Sequence, residues 1–530
     1  MSDTSADSRS PRPLRVTLYD YSYETFAIQY LAAILLERGF DCRIYYDMSM
    51  DMDYLDQDFF LTRAFSLTPE QAAAAILDTT PDVVGFSLIT PFYPKLRRII
   101  AALKKRSPET IVVVGGPHAT LAARQTVANE DIDFVFVGEA DTSLPNFLTD
   151  LIQGVTPEEM RGFELSRMPG VWNRTPNGPM ERGYGPFQFS LDSVPFPEKK
   201  FHFARNSAWK RLYSITCSRG CVFSCTYCNS STLRKKYKEE CGANYFRVRS
   251  VDNVMSELKM AKERYKPRQI MFLDNLFAPQ IPWLREFAPR YRQEIGLPFF
   301  CETNPMSHTK ESLALLAEAG CTLLQFGFQS ANERVRREIL GRRETNARIK
   351  ELVVEAKRLG MFVCVDHIAN LPGEIREHLD EAVSLYQEIR PNWVNLGFLQ
   401  LYPEADIVEI AISRKMLKEG DLPAIYNGTE QTSFRLVSKS KLGDYYRTLP
   451  IRFFAAFRLS PALSNRINGW LENLRVARIL STLASPFIYA SRILVAFTDR
   501  RDFLVRHHIL RNLLVMVGMA QEKWRYRHHG

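Results

Sequence analysis

No stretch of about 18 uncharged apolar residues, the length needed to span a bilayer, occurs in the 530 residues of the chain. The first twelve residues, MSDTSADSRSPR, are polar and lack the apolar core of a secretory signal. Neither a spanning helix nor secretion is expected, and the chain reads as cytoplasmic, where thiols stay reduced. Cysteine is scarce, at nine residues, and in a reducing compartment a disulfide use of these thiols is not expected. No G-x-G-x-x-G follows the first expected strand, which argues against a nicotinamide or flavin domain. Acidic residues are scarce at one end. From 441 onward there are 15 Lys and Arg against five Asp and Glu. The net charge of +9 therefore belongs to that end, the first 440 residues are close to neutral, and the high pI carries no whole-chain argument for nucleic acid. No nucleic-acid partner is expected.

What is present is apolar patterning on a scale of two to four domains. LRVTLYD (14–20) reads as a buried strand, TFAIQYLAAILLER (25–38) as a helix, and FDCRIYYD as a second strand. DVVGFSLIT (82–90), IVVVGG (111–116) and DFVFV (133–137) continue the alternation. Such βαβ spacing predicts a parallel, doubly wound sheet, whose ligands sit at the carboxyl ends of its strands. Alternation resumes at YSITC (213–217), with later strands at QIMFLD, FFCETN, LLQFGFQS, FVCVDHIAN and WVNLGFLQL. Six βα units predict a partial barrel with its functional residues at the strand ends. The expected organisation is an α/β chain: a disordered tail over 1–13, a Rossmann-like domain over 14–150, a Pro- and Gly-rich linker over 151–206, a partial (β/α)6 barrel over 207–410 and a helical C-terminal region over 411–530.

TCSRGCVFSCTYCNSS (216–231) packs four of the nine cysteines into twelve positions. Cys221, Cys225 and Cys228 have the spacing C-x3-C-x2-C. Three thiolates on one loop can ligate three irons of a 4Fe–4S cube, leaving the fourth iron open. Structural zinc asks for four ligands, usually as two separated pairs, and no second CxxC exists. Cys217 reads as a strand residue packed as a small hydrophobe. The spacing, the aromatic Tyr227 before the last cysteine and the strand leading into the loop resemble the radical S-adenosylmethionine (SAM) superfamily. That resemblance implies a cluster on Cys221, Cys225 and Cys228, whose open iron chelates SAM and whose electron splits it into methionine and a 5′-deoxyadenosyl radical. It also implies SAM contacts at Tyr227, Asp274, Glu302, Gln329 and Asn370. The sequence departs from the family pattern in two places: Asn275 replaces the second acid of an acidic pair after Asp274, and Gln329 stands where Glu is usual.

In the first sheet, Ser87 and Ile89 follow one strand, Gly115 and Gly116 the next, and Gly138 and Glu139 the one after. Together these resemble the cobalamin-binding domain fused to radical SAM barrels, and the resemblance implies cobalamin contacts at all six. DYSYETF lacks the histidine that ligates cobalt in many cobalamin carriers, so no histidine ligand is expected from that loop. The resemblance is to the group of hopanoid methylases and the anaerobic bacteriochlorophyll ring cyclase. It implies three cofactors (a 4Fe–4S cluster, SAM and cobalamin) and, as activity, methylation of an unactivated carbon in a small-molecule or lipid-like substrate. Oxidative cyclisation or ring rearrangement with the same cofactors is the alternative, and a non-catalytic cobalamin or Fe–S sensor a further one. An external electron donor of flavodoxin or ferredoxin type is implied. The Arg- and Phe-rich stretch over 450–515 reads as a packed helical domain with a solvated basic face, with a cap over the active site, a partner surface and a patch for peripheral membrane contact as the alternatives.

Overall fold

The computed structural model describes residues 13–21, 25–48, 66–163, 167–205, 210–429, 442–473, 499, 501 and 519–529. The tail expected over 1–13 lies almost wholly outside the described residues, as does most of the basic stretch beyond 473. The chain forms two compact units, one of residues 1–188, 194–205 and 516–530, the other of 189–193 and 206–515.

The first unit is built on seven strands: β1 (Arg15–Asp20), β2 (Asp41–Tyr46), β3 (Val83–Ser87), β4 (Ile111–Gly115), β5 (Phe134–Phe136), β6 (Val171–Thr175) and β7 (Gly178–Met180). Their order is β2-β1-β3-β4-β5-β6-β7. The first five run parallel. Both sheet faces are covered, which is why these strands read as continuous apolar runs rather than alternating ones. On one face Val84, Phe86, Val112 and Val114 pack with Leu96, Ile99 and Leu103 of the helix Tyr93–Arg106. On the other, Val16, Leu18, Val83 and Val113 pack with Ile28, Ala32 and Leu35 of the helix Phe26–Glu37 and with Phe147. The chain leaves β1 to opposite sides for β2 and β3, so the switch point, and with it the ligand crevice, lies between β1 and β3.

Two features differ from the expectation. The segment 151–206, expected as a linker, adds β6 and β7 antiparallel to the sheet edge. Arg182 locks it, fully buried, donating to the carbonyls of Phe163 at 2.8 Å and Val171 at 2.6 Å and to Asn173 Oδ1 at 2.6 Å. These strands are short, and β6 pairs with β5 only across the intervening helix Ser143–Ile152, so local pattern hides them. Second, the end of the region expected as a C-terminal helical unit belongs with the first unit: Glu522 accepts from Tyr45 Oη at 2.6 Å and Arg205 Nη2 at 2.5 Å, and Tyr526 Oη donates to Asp78 at 2.7 Å.

The second unit carries β8 (Leu212–Ile215), the two-residue pair β9 (Ser218–Arg219) and β10 (Arg247–Val248), then β11 (Gln269–Phe272), β12 (Phe299–Thr303), β13 (Cys321–Gln329), β14 (Phe362–Ala369) and β15 (Trp393–Phe398). Six strands form one parallel sheet in the order β15-β14-β13-β12-β11-β8, the open barrel expected from the six βα units. Along β13 the buried residues Phe326 and Phe328 alternate with half-buried Gln325 and Gly327, so the polar positions share one sheet face. The helix Gly443–Arg458 packs on the outer face, with Phe453 4.9 Å from the rings of both His367 and Tyr386. No helix among the described residues is long and apolar enough to cross a membrane.

Candidate active site

β8 delivers the chain into the cysteine loop, and the helix Asn229–Cys241 leaves it, with Cys228 as its N-cap residue. Gly220 makes the entry turn at φ +87°, where a Cβ would stand 2.6 Å from the Tyr245 carbonyl oxygen. The loop is docked on the turn 339–342: the Thr226 N–H donates to the Leu340 carbonyl at 3.1 Å and its hydroxyl to the Ile339 carbonyl at 2.5 Å. Gly341, at φ +66°, leaves room for this approach, since a Cβ there would meet the Ser224 carbonyl oxygen at 2.8 Å.

The neighbouring thiols disfavour ionisation of Cys221 and Cys225. Burial pushes Cys221 up to about 11, and the charges of Cys228 and Cys225 add to this. Burial likewise raises Cys225, against the pull of Arg342. A cationic metal centre reverses that balance. Among the described residues no three Cys, His, Asp or Glu side chains gather closely enough to hold a single ion. In a 4Fe–4S cube each thiolate binds a different iron, so three separated thiols on one loop fit the cube's donor set. Cys217 is set apart: it is 1% exposed, and its N–H donates to Asp274 at 2.9 Å.

The five residues expected at SAM fall at the ends of the barrel strands but differ in their surroundings. Asp274 is buried after β11 and spends its oxygens on the Cys217 N–H and, at 2.5 Å, the Ser218 hydroxyl. It braces the base of the cysteine loop, and burial raises it to about 6 despite these bonds. Asn275 donates to the Ser230 hydroxyl at 3.2 Å. Tyr227 is half-buried, with its hydroxyl 3.4 Å from Arg342 Nη1. Glu302 is half-buried in β12, in register with Gln325 of β13. Gln329 and Asn370 end the adjacent strands β13 and β14. Both hold left-handed backbones, φ 71° and 63°, which side chains other than Gly, Asn and Asp seldom adopt. Both leave a buried polar atom without a partner, Gln329 Oε1 and Asn370 Nδ2. The strained backbone of Gln329, together with its unmet acceptor and the unmet donor of Asn370, marks a place prepared for a polar ligand, and this fits SAM.

Sequence reasoning missed two neighbouring groups. Gln325 Nε2 donates to Asp366 at 3.0 Å and Asn395 Nδ2 donates to it at 2.9 Å. Polar residues at alternate positions of β13 were the available signal. Arg342 and Glu344, paired at 2.5 Å, carry no motif and come to the site through the docked turn alone.

In the first unit, Ser87, Ile89, Gly115, Gly116, Gly138 and Glu139 stand at the carboxyl ends of β3, β4 and β5. Gly116 has φ +93°, and a Cβ there would lie 2.8 Å from Ser87 Oγ and 3.0 Å from the Leu88 backbone. The glycine is therefore required where the ends of β3 and β4 meet, because no side chain fits between them. The Gly138 N–H is held by Thr120 Oγ1 at 3.0 Å, and Glu139 Oε2 accepts from the Gln188 N–H at 3.0 Å. Strand ends that present glycine backbone beside the switch point fit a broad, flat cofactor such as cobalamin. His118 follows the glycines but is fully buried, with Nδ1 3.1 Å from Thr90 Oγ1 and its ring 4.3 Å from that of Tyr93. Burial lowers it to about 4, so it stays neutral.

Residues 14–148 match the B12 binding domain and residues 215–386 match the radical SAM superfamily. The chain belongs to the cobalamin-dependent branch of the radical SAM superfamily. It is a radical SAM enzyme whose cofactors are a 4Fe–4S cluster, SAM and cobalamin. It is 23% identical over 448 residues to the cytidylyl-2-hydroxyethylphosphonate methyltransferase of Streptomyces wedmorensis, covering 77% of this chain and 80% of that one. It is 26% identical over 403 residues to the hopanoid C-3 methylase of Methylococcus capsulatus, covering 74% and 70%. The anaerobic magnesium-protoporphyrin IX monomethyl ester cyclase of Rubrivivax gelatinosus is 21% identical over 363 residues, covering 67% and 63%. The fold is also that of the cobalamin-dependent SAM radical enzyme OxsB, with a TM-score of 0.63 at 14% identity, over 98% of this chain and 80% of that one.

Proposed function

We propose that this enzyme methylates an unactivated carbon of a small-molecule substrate. The observation that carries the reading is the pairing, in one chain, of a loop presenting three thiols at C-x3-C-x2-C spacing with a sheet whose glycine-ended strands fit cobalamin. When bound, the cluster supplies the electron that cleaves SAM, and cobalamin supplies the methyl group. The chain's own residues do the holding. Cys221, Cys225 and Cys228 ligate, Asp274 braces the loop from below, and Gln329 Oε1 and Asn370 Nδ2 offer an acceptor and a donor to SAM. Gly115, Gly116, Ser87 and Ile89 shape the cobalamin crevice, and Gly138 and Glu139 close its far side.

Anaerobically reconstituted protein, given a reductant, SAM with a labelled methyl group and a panel of small polar and lipid-like acceptors, should yield 5′-deoxyadenosine and labelled product. Deoxyadenosine without label in any product favours the second reading, ring cyclisation, which the cyclase relative supports. A sensor would form no deoxyadenosine at all. The reading includes a one-electron donor of flavodoxin or ferredoxin type and contact of the basic C-terminal stretch with anionic lipid. Flotation of the full-length protein with anionic but not neutral vesicles tests the lipid contact. A truncation at 440 does not, because it removes Glu522 and Tyr526 from the first unit.

A further inference from the structure

We propose that Arg342 tunes the reduction potential of the iron–sulfur cluster by hydrogen bonding Cys225, with Glu344 as its counter-charge. The inference rests on the reading that Cys221, Cys225 and Cys228 hold the cluster. Arg342 is 6% exposed, and its Nη1 lies 3.7 Å from Cys225 Sγ. The rest of the guanidinium is anchored: Nε donates to Glu344 Oε1 at 2.5 Å and Nη2 to the Gly327 carbonyl at 2.5 Å. A planar fork with fixed donors is thus held on one side by an acid and a strand carbonyl, and on the other meets a cluster sulfur and the Tyr227 hydroxyl. Neither anchor is in the cysteine loop, so the loop's sulfur receives a cation positioned by other elements.

Reduction of the cluster adds one electron, drawn from the external donor, and therefore one negative charge. The guanidinium contributes no atom, electron or proton to this step. A buried cation that hydrogen-bonds a ligating sulfur stabilises the more negative state, and hydrogen bonds to sulfur are among the levers that set cluster potentials. Burial makes the charge count, since little water screens it. Glu344, 3% exposed, offsets part of that charge, so the pair sets the potential between two limits. A purely structural ion pair would hold the 339–344 turn in place and leave the potential alone.

The test is an anaerobic redox titration of the reconstituted protein without SAM, followed by electron paramagnetic resonance, on wild type, R342Q, E344Q and R343Q. Iron, sulfide and circular dichroism confirm that each variant carries the cluster and the fold. R342Q should lower the potential enough to cut the ratio of reduced to oxidised cluster about tenfold at fixed solution potential, or about 59 mV for one electron. E344Q should shift it in the opposite direction. R343Q, which removes the neighbouring exposed charge, should leave it unchanged. Unchanged potentials in both R342Q and E344Q, shifts of the same sign in the two, or an R343Q shift equal to that of R342Q would each overturn the proposal. If R342Q fails to assemble, the sign of the E344Q shift decides. Wild-type protein without four irons and sulfide would refute the underlying cluster reading instead, an outcome distinct from any of these.

Discussion

Both units place their ligands at the carboxyl ends of parallel strands, but they prepare those ends in opposite ways. The first unit removes side chains: Gly115 and Gly116 end β4, and Ser87 stands beside the bare backbone. The barrel adds chemistry: three thiols, an acid beneath them, and two carboxamides with unmet polar atoms, one of them on a strained backbone. The contrast follows the ligands. Cobalamin is large and needs room and shape, whereas a cluster needs covalent donors and SAM needs matched hydrogen bonds.

The comparison breaks most sharply at the cysteines. Alanine at Cys221, Cys225 or Cys228 should abolish SAM cleavage while leaving cobalamin bound, measured by deoxyadenosine formation and by cobalamin absorbance. Cys217→Ala should retain the cluster iron, because that thiol lies buried away from the other three. The reciprocal change is Gly116→Val. A side chain there strikes Ser87 and Leu88 and must be held at positive φ, so bound cobalamin should fall to a small fraction of wild type with cluster iron intact. If iron and cobalamin fell together in both experiments, the two sites would not be independently prepared.

A smaller effect sharpens the barrel's half of the contrast. Gln329→Ala and Asn370→Ala should each weaken SAM binding about tenfold, the worth of one buried hydrogen bond at about 1.4 kcal/mol, as read by equilibrium dialysis. Unchanged affinity in both would show that their unmet atoms do not face SAM. The smallest effect is a pH dependence at Glu374, which accepts from the Asn370 N–H at 2.8 Å and from Tyr446 Oη at 2.7 Å. Burial raises its pKa to about 7 from an ordinary 4.5. The folded state then holds its proton where the unfolded chain has lost it, so wild type loses stability as pH rises from about 4.5 through 7. Glu374→Gln lacks that loss. Its denaturation midpoint relative to wild type should therefore improve between pH 5 and pH 8, and a constant difference would contradict the assignment.

The legibility of the two sites in sequence follows the same contrast. Parallel strands covered on both faces leave runs such as DVVGF and IVVVG, and covalent ligands leave fixed spacings such as C-x3-C-x2-C, so both units and the cluster loop could be read locally. Side chains that act through distant contacts could not. Arg342 reaches Cys225 across 117 positions from a turn with no motif, and Gln325, Asp366 and Asn395 meet only because β13, β14 and β15 pair in register. The edge strand β6 was hidden for the same reason, and β7, its hairpin partner, by its length of three residues. Asp274 could be found by its position after β11, but its bonds to Cys217 and Ser218 needed the fold.

The central claim is that one chain holds two separately built cofactor sites. Anaerobic reconstitution with iron, sulfide and hydroxocobalamin, followed by metal analysis of wild type, a triple alanine variant at Cys221, Cys225 and Cys228, and Gly116→Val, tests it directly. One 4Fe–4S cluster and one cobalamin per chain in wild type, cobalamin alone in the cysteine variant and the cluster alone in Gly116→Val are predicted. Wild-type protein that binds no cobalamin, or binds zinc in place of the cluster, would contradict it.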